Sequence, residues 1–191
     1  LSWYQLTIEP NTEFYARPPS LPENDILAEM QDLGIELIGE AGFRRYEVSA
    51  FSKPGNQSQH NLNYWLFGDY MGIGAGAHGK VSDPDSGLIK RTRKKKQPAH
   101  YLASKLSRLA EVNPVPPEER TLEFLLNSLR LVEGFCVDEY EGRTGLSFSH
   151  IAKQVESLCD RGLLTKKKDR VRTTAWGFSV LNSLISEFIE Q

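Results

Sequence analysis

Between Tyr46 and Gly79 the chain crowds Glu47, Lys53, His60, Asn61, Asn63, Tyr64, Trp65, Asp69 and His78 around five glycines that lie between Gly68 and Gly79. Few purely structural segments need that mixture. His60 is the first candidate for chemistry, because an imidazole can ligate a metal or move a proton near neutral pH. Tyr64 and Trp65 beside it are flat, amphipathic surfaces on which a planar aromatic ligand could stack. An imidazole serves equally well to satisfy a buried hydrogen bond, so residue type alone leaves His60 and His78 open between function and structure. Glu47 could pair with His60 as an acid-base couple, but nothing in the sequence fixes their separation. Gly74 and Gly76 would let backbone approach a ligand without a Cβ in the way, or would mark only a bulged strand. The chain has no His or Cys pair with zinc-finger spacing and no Gly-Lys-Ser/Thr phosphate loop. Ser49 and Ser58 lack a nucleophile-elbow context.

The elements that must position these residues can be read from periodicity. Leu1 to Ile8 is aromatic and β-branched and stops at Glu9-Pro10-Asn11, which predicts a buried strand; its start without Met or cap predicts further sequence upstream. Ser20 and Glu23 have capping-box spacing. Ile26, Leu27, Met30, Leu33, Leu37, Ile38 and Ala41 follow at helical intervals up to a stop at Gly42. Tyr46 to Phe51 reads as a second strand, so this half resembles a βαβ unit of a parallel layer or barrel. Ser52 to Tyr70 has no clear period and is expected as a functional loop. Met71 to Gly79 reads as a glycine-rich strand, and 81 to 91 as a hairpin turning at Asp83-Pro84-Asp85-Ser86-Gly87.

The basic run Arg91, Arg93, Lys94, Lys95, Lys96 precedes Gln97-Pro98, and a domain boundary is expected there: residues 1–96 as one domain, 97–191 as a mainly helical second one. Helices are predicted at 101–110, 118–132, 149–161 and 174–189. A proline-rich joint is expected at 113–117, and a hairpin of Leu163–Thr165 with Val171–Thr173 around Lys166-Lys167-Lys168-Asp169. Helices followed by a two-stranded wing describe a winged-helix-like module. A DNA-reading winged helix wants a basic recognition helix, whereas Lys153 and Arg161 are balanced by Glu156 and Asp160. With a net charge of -2 and 39% hydrophobic residues, a folded chain without affinity for DNA is expected. Two cysteines, Cys136 and Cys159, are too few for a disulfide framework, and the cytoplasm is the default compartment.

Three motifs in order carry a family resemblance: Tyr46-Glu47-Val48-Ser49-Ala50-Phe51-Ser52-Lys53-Pro54-Gly55, then His60-Asn61-Leu62-Asn63-Tyr64-Trp65, then Gly72-Ile73-Gly74-Ala75-Gly76-Ala77-His78-Gly79. They resemble the radical S-adenosylmethionine family of oxygen-independent coproporphyrinogen III oxidases, and the His-Asn-x-x-Tyr-Trp run resembles its haem chaperone branch. The resemblance implies an α/β fold: the C-terminal part of a partial (β/α)6 barrel, followed by the helical domain. It implies S-adenosylmethionine and a [4Fe-4S] cluster on a Cys-x-x-x-Cys-x-x-Cys loop in the full-length protein. That loop is absent from this chain, which is therefore expected to be silent as a radical enzyme. By position, Ala75, Gly76 and Ala77 match the strand that approaches S-adenosylmethionine. His60 matches a proposed haem-iron ligand, with Tyr64 and Trp65 covering the macrocycle. Ser58 departs from family relatives that carry cysteine near this place. The partners implied are haem or porphyrinogen and a haem-accepting protein, with membrane association only through a partner. A true coproporphyrinogen decarboxylase and a nucleic-acid- or protein-binding winged helix are the rival readings.

Overall fold

The computed structural model describes residues 1–189 and divides into two compact units, Leu1–Ser58 and Gln59–Gln191. In the first unit a one-turn helix α1 (Glu13–Ala16) is capped by Thr12, whose hydroxyl accepts the Tyr15 N–H. Helix α2 (Asn24–Glu40) follows, then the short strands β1 (Arg44–Arg45) and β2 (Phe51–Ser52), which pair antiparallel. The first eight residues do not form the expected strand. They contribute one antiparallel bridge, Ser2 to Ala50, flanked by Trp3 N–H to Ser49 O and Phe51 N–H to Leu1 O, each 2.8 Å. The predicted parallel βαβ unit is therefore not built among the described residues. Helix α2 starts at Asn24 with Glu23 as its N-cap and no side-chain cap bond, so Ser20 forms no capping box. Gly42 ends it as expected, at φ +83°. The apolar stripe of α2 is left open, with Ile26, Met30, Leu33 and Leu37 about half exposed.

The second unit begins with α3 (Gln59–Trp65), a helix where a loop was expected. Seven residues, five of them (His60, Asn61, Asn63, Tyr64, Trp65) of modest helix propensity, are too few to show a period, and such a helix depends on tertiary packing. Strands β3 (His78–Asp83) and β4 (Leu88–Lys94) make the predicted hairpin, closed by Gly87 N–H to Asp83 O at 2.8 Å. Helix α4 (Pro98–Ala103) is followed by β5 (Leu109–Pro114), which pairs antiparallel with β4. The helix predicted over 101–110 is thus shorter and earlier. Backbone pairing with β4 prevails over local propensity beyond Leu109. The division expected after Lys96 falls between two paired strands of one sheet, ordered β3-β4-β5.

Helix α5 (Pro117–Ser128), β6 (Phe135–Cys136), α6 (Val137–Thr144), a 3-10 turn (Phe148–His150), α7 (Ala152–Asp160) and the wing β7 (Leu164–Lys167) and β8 (Arg170–Thr173) follow. The last helices are α8 (Ala175–Ser179) and α9 (Leu181–Ser186). The sheet order β6-β8-β7 beside three helices is the winged-helix arrangement expected. The helix predicted over 118–132 is observed as α5 and that over 149–161 as α7. The single helix predicted from Thr174 is split into α8 and α9, with the Thr174 hydroxyl capping α8 by accepting the Gly177 N–H at 2.9 Å. The core centres on Phe124, which meets Phe135 (5.1 Å) and Tyr140 (5.4 Å) edge to face, and Tyr140 meets Phe148 likewise. The Tyr140 hydroxyl, the polar tip of that cluster, pairs with Thr121 Oγ1 at 2.8 Å. Among the described residues no helix is long and apolar enough to cross a membrane.

Candidate tetrapyrrole site

Helix α3 turns His60 and Tyr64 to one face, four residues apart. Their rings meet at 4.8 Å with an interplanar angle of 80°. Tyr64 then meets Tyr70 at 4.6 Å and 61°, so three rings form a continuous ladder. His60 is exposed at its open end, and Tyr64 and Tyr70 are half-buried. Edge-to-face contacts of this kind contribute about 0.5–1.5 kcal/mol each and fix ring orientation. Trp65, one residue further round the helix, stands apart from the ladder. Its indole Nε1 is buried without a hydrogen-bond partner, and its ring lies 5.7 Å from the Arg130 guanidinium carbon. Tyr70, which in the sequence is only the end of an aperiodic stretch, occupies the place beside Tyr64. Its sole sequence signal was an aromatic shortly after the His60–Trp65 run.

A tight reversal carries the chain from α3 to Tyr70. Phe67 sits at φ +56°, the Gly68 N–H donates to Asn63 O at 2.7 Å, and Asn63 Nδ2 donates to Asp69 O at 2.9 Å. Tyr70 is then bridged to Lys80 of β3 by two backbone bonds of 2.9 Å each. The Lys80 side chain is buried, and its Nζ donates to Phe67 O (3.0 Å), Asp69 Oδ1 (2.9 Å) and Ser82 Oγ (3.2 Å) while standing 4.1 Å from the Phe67 ring centre. Burial pulls the Lys80 ammonium below its usual range, and the bond and charge of Asp69 oppose that only in part. For Asp69, burial is the largest single effect and acts upward. The bonds from Lys80, the Ser82 N–H and the Ser82 hydroxyl together outweigh it and hold the carboxyl below its ordinary 3.8.

That sign gives a pH dependence. A carboxyl whose folded-state pKa is depressed contributes stability that is complete above about 3.8 and lost as pH falls through the folded value. The thermal midpoint is expected to fall more steeply below pH 4 in the wild type than in Asp69→Asn. Parallel slopes in the two proteins, measured by circular dichroism, would exclude Asp69 as a source of acid sensitivity.

The glycine-rich run Gly72–Ala77 is a turn rather than the expected strand, since Gly74 (φ +108°) and Gly76 (φ +74°) take angles that strands do not use. It is fastened to β4 and its continuation by Lys94 N–H to Ala77 O (2.8 Å) and Gly76 N–H to Lys95 O (2.9 Å), and the Gly74 N–H donates to the Tyr101 hydroxyl at 3.2 Å. Ala75 is exposed at the tip of this turn, Gly76 and Ala77 are half-buried, and His78 opens β3. Glu47 belongs to the first unit, where its carboxylate accepts the Ser49 N–H at 3.1 Å.

Arg91 of the basic run donates from Nε (3.2 Å) and Nη2 (2.5 Å) to Glu123 of α5 and from Nη1 to the Tyr70 hydroxyl (3.1 Å). Arg93 pairs with Glu111 of β5. Two cations of that run are thus engaged by carboxylates. No group of three or more His, Cys, Asp or Glu side chains converges as a metal cage among the described residues.

Residues 115–180 match the HemN C-terminal domain family. The whole chain is 44% identical over 191 residues to "Heme chaperone HemW" of Escherichia coli strain K12, of which it covers 50%. It is 43% identical to the Haemophilus influenzae protein of the same name, covering 49% of it. "Radical S-adenosyl methionine domain-containing protein 1, mitochondrial" of Mus musculus is 32% identical over 221 residues, with 46% of it covered. The chain thus spans about half the length of the curated relatives it matches. Among solved structures, the one described as "Coproporphyrinogen III oxidase (HemN) from Escherichia coli is a Radical SAM enzyme" aligns with a TM-score of 0.62. That alignment covers 88% of this chain and 42% of that one at 14% identity, a likeness of fold.

Proposed function

Since the chain belongs to the HemN-like radical S-adenosylmethionine family, its residues 115–180 being a HemN C-terminal domain, we propose that it is the C-terminal half of a haem-handling protein in which His60 ligates haem iron. The observation that carries this reading is the ladder His60–Tyr64–Tyr70 on α3. An exposed imidazole backed by two rings would offer a nitrogen ligand to iron and an apolar wall, which suits a planar iron macrocycle that must later leave. In this reading the haem is cargo.

The family's cluster and S-adenosylmethionine would be carried by the half of the relatives' length that this chain does not span. A three-thiolate cluster does not fit the cysteines present. Both lie in the winged module, burial raises both thiols, and Arg170 Nη2 donates to the Cys136 sulfur at 2.8 Å. Ala75, Gly76 and Ala77 could form one rim of an S-adenosylmethionine site, because Ala75 is exposed at the tip of the turn and, among the described residues, no hydrogen bond occupies its N–H. Coproporphyrinogen oxidation is supported here only by likeness of fold.

Haem titrated into the full-length protein is expected to saturate at one equivalent with a Soret band of a histidine-ligated complex. The substitution Tyr64→Leu, which removes the middle ring, is expected to weaken binding about tenfold, the worth of one good aromatic contact. An absence of saturable binding would overturn the proposal.

A further inference from the structure

Two backbone pairings and one guanidinium connect the ladder of the proposed haem helix to the winged module. Tyr70 is bridged to Lys80, and Lys80 stands opposite Arg91 across β3 and β4, so Arg91 lies two pairings away from Tyr70 in one small sheet. Its fork is divided: Nη1 supports the Tyr70 hydroxyl, while Nε and Nη2 both hold Glu123 Oε2. Its carbon also stands 5.9 Å from the Phe67 ring, and Phe67 meets Phe124, the neighbour of Glu123 on α5, at 6.0 Å. Arg91 and Glu123 are both largely sheltered, with 35% and 25% of their side-chain surface exposed. A planar guanidinium can serve two partners at fixed angles, which an ammonium cannot. The other arginine pair of this sheet, Arg93 with Glu111, reaches neither Tyr70 nor α5.

We infer that Glu123, through Arg91, is a positioning residue for the haem ladder: the winged module orients Tyr70, Tyr70 orients Tyr64, and Tyr64 sets the face on which His60 is presented. The inference rests on the haem reading above and adds to it a task for the C-terminal module. Among the described hydrogen bonds Glu123 has none to a ladder residue, and its link to Tyr70 is the shared guanidinium. Removing its charge frees Arg91 to swing, and the Tyr70 hydroxyl loses its donor.

The experiment measures haem dissociation from the full-length protein, by transfer to an excess of apomyoglobin, for Glu123→Gln, Tyr70→Phe, their double variant and Glu111→Gln. Glu123→Gln and Tyr70→Phe are each expected to speed haem loss about fivefold to tenfold, the range of one ordinary hydrogen bond. The double variant should be no faster than either single one, because both break the same relay. Glu111→Gln should match the wild type. Arg91→Lys, which keeps the charge but cannot reach both partners, should reproduce the Glu123→Gln loss and stands in should that variant fold poorly. Unchanged dissociation in Glu123→Gln or Arg91→Lys, while His60→Ala still weakens binding, would overturn the inference and leave the haem reading intact. Strictly additive losses would overturn it as well. No effect of His60→Ala would remove the haem reading and this inference with it.

Discussion

Replacing His60 by alanine is expected to weaken haem binding by on the order of a hundredfold or more and to shift the Soret band, with little change in stability. The scale follows from coordination chemistry: loss of groups that merely support a metal ligand costs about 10–100-fold, and loss of the ligand itself should exceed that. Stability should hardly move, because His60 is exposed and its described ring contact is one edge-on meeting with Tyr64, worth about 1 kcal/mol. Adding free imidazole to His60→Gly should restore the spectrum, since the ring could occupy the vacated position without its tether. An unaltered spectrum and affinity in His60→Ala would remove His60 as the ligand.

The second large effect is on stability. Lys80→Met keeps the length of the apolar stem but deletes three donations and the cation over the Phe67 ring. Phe67 is 2% exposed, so its carbonyl would be left unpaired in the interior. Asp69, with 39% of its side-chain surface exposed, can regain water and keeps its bonds from Ser82. A loss of about 3 kcal/mol is expected, toward the lower end of what breaking a buried ion pair costs. Urea unfolding should show a lower midpoint at unchanged slope. A change below about 0.5 kcal/mol in Lys80→Met would mean that the ammonium is not the strut that holds the Phe67–Tyr70 reversal.

Much of the second unit was legible because its helices are long enough to show a period and its stops are chemically marked. Gly134 and Gly162 end their segments at φ +62° and +71°, as their positions after the apolar runs implied. Helix α6 was missed for a specific reason. Its capping box uses Cys136 and Glu139, where Ser or Thr would have announced it, and Gly142 and β-branched ends lower its propensity. The glycine-rich run misled because alternation with small residues has the period of a strand, whereas only the actual φ at Gly74 and Gly76 reveals a turn. At the site, the His60–Tyr64 relation follows from spacing once α3 is known to be helical. The part played by Tyr70 could not be foreseen, because it depends on the reversal at Phe67 and on a guanidinium 21 residues later. The resemblance, resting on short motifs that survive such local surprises, named the family that the comparisons support.

Strand β5 also bears on how such chains can be inherited. Because Leu109–Pro114 zips onto β4 across the change in composition, a graft joined at the basic run would strip a strand from its host and expose a sticky edge. Val115 is still tied, its N–H donating to Ile89 O at 2.8 Å, but Pro116 and Pro117 have no N–H to give. The HemN C-terminal match begins at residue 115. The two prolines are thus the natural splice point, where evolution or a protein engineer could trade one winged module for another without unpicking the sheet, provided the newcomer brings a carboxylate to meet Arg91.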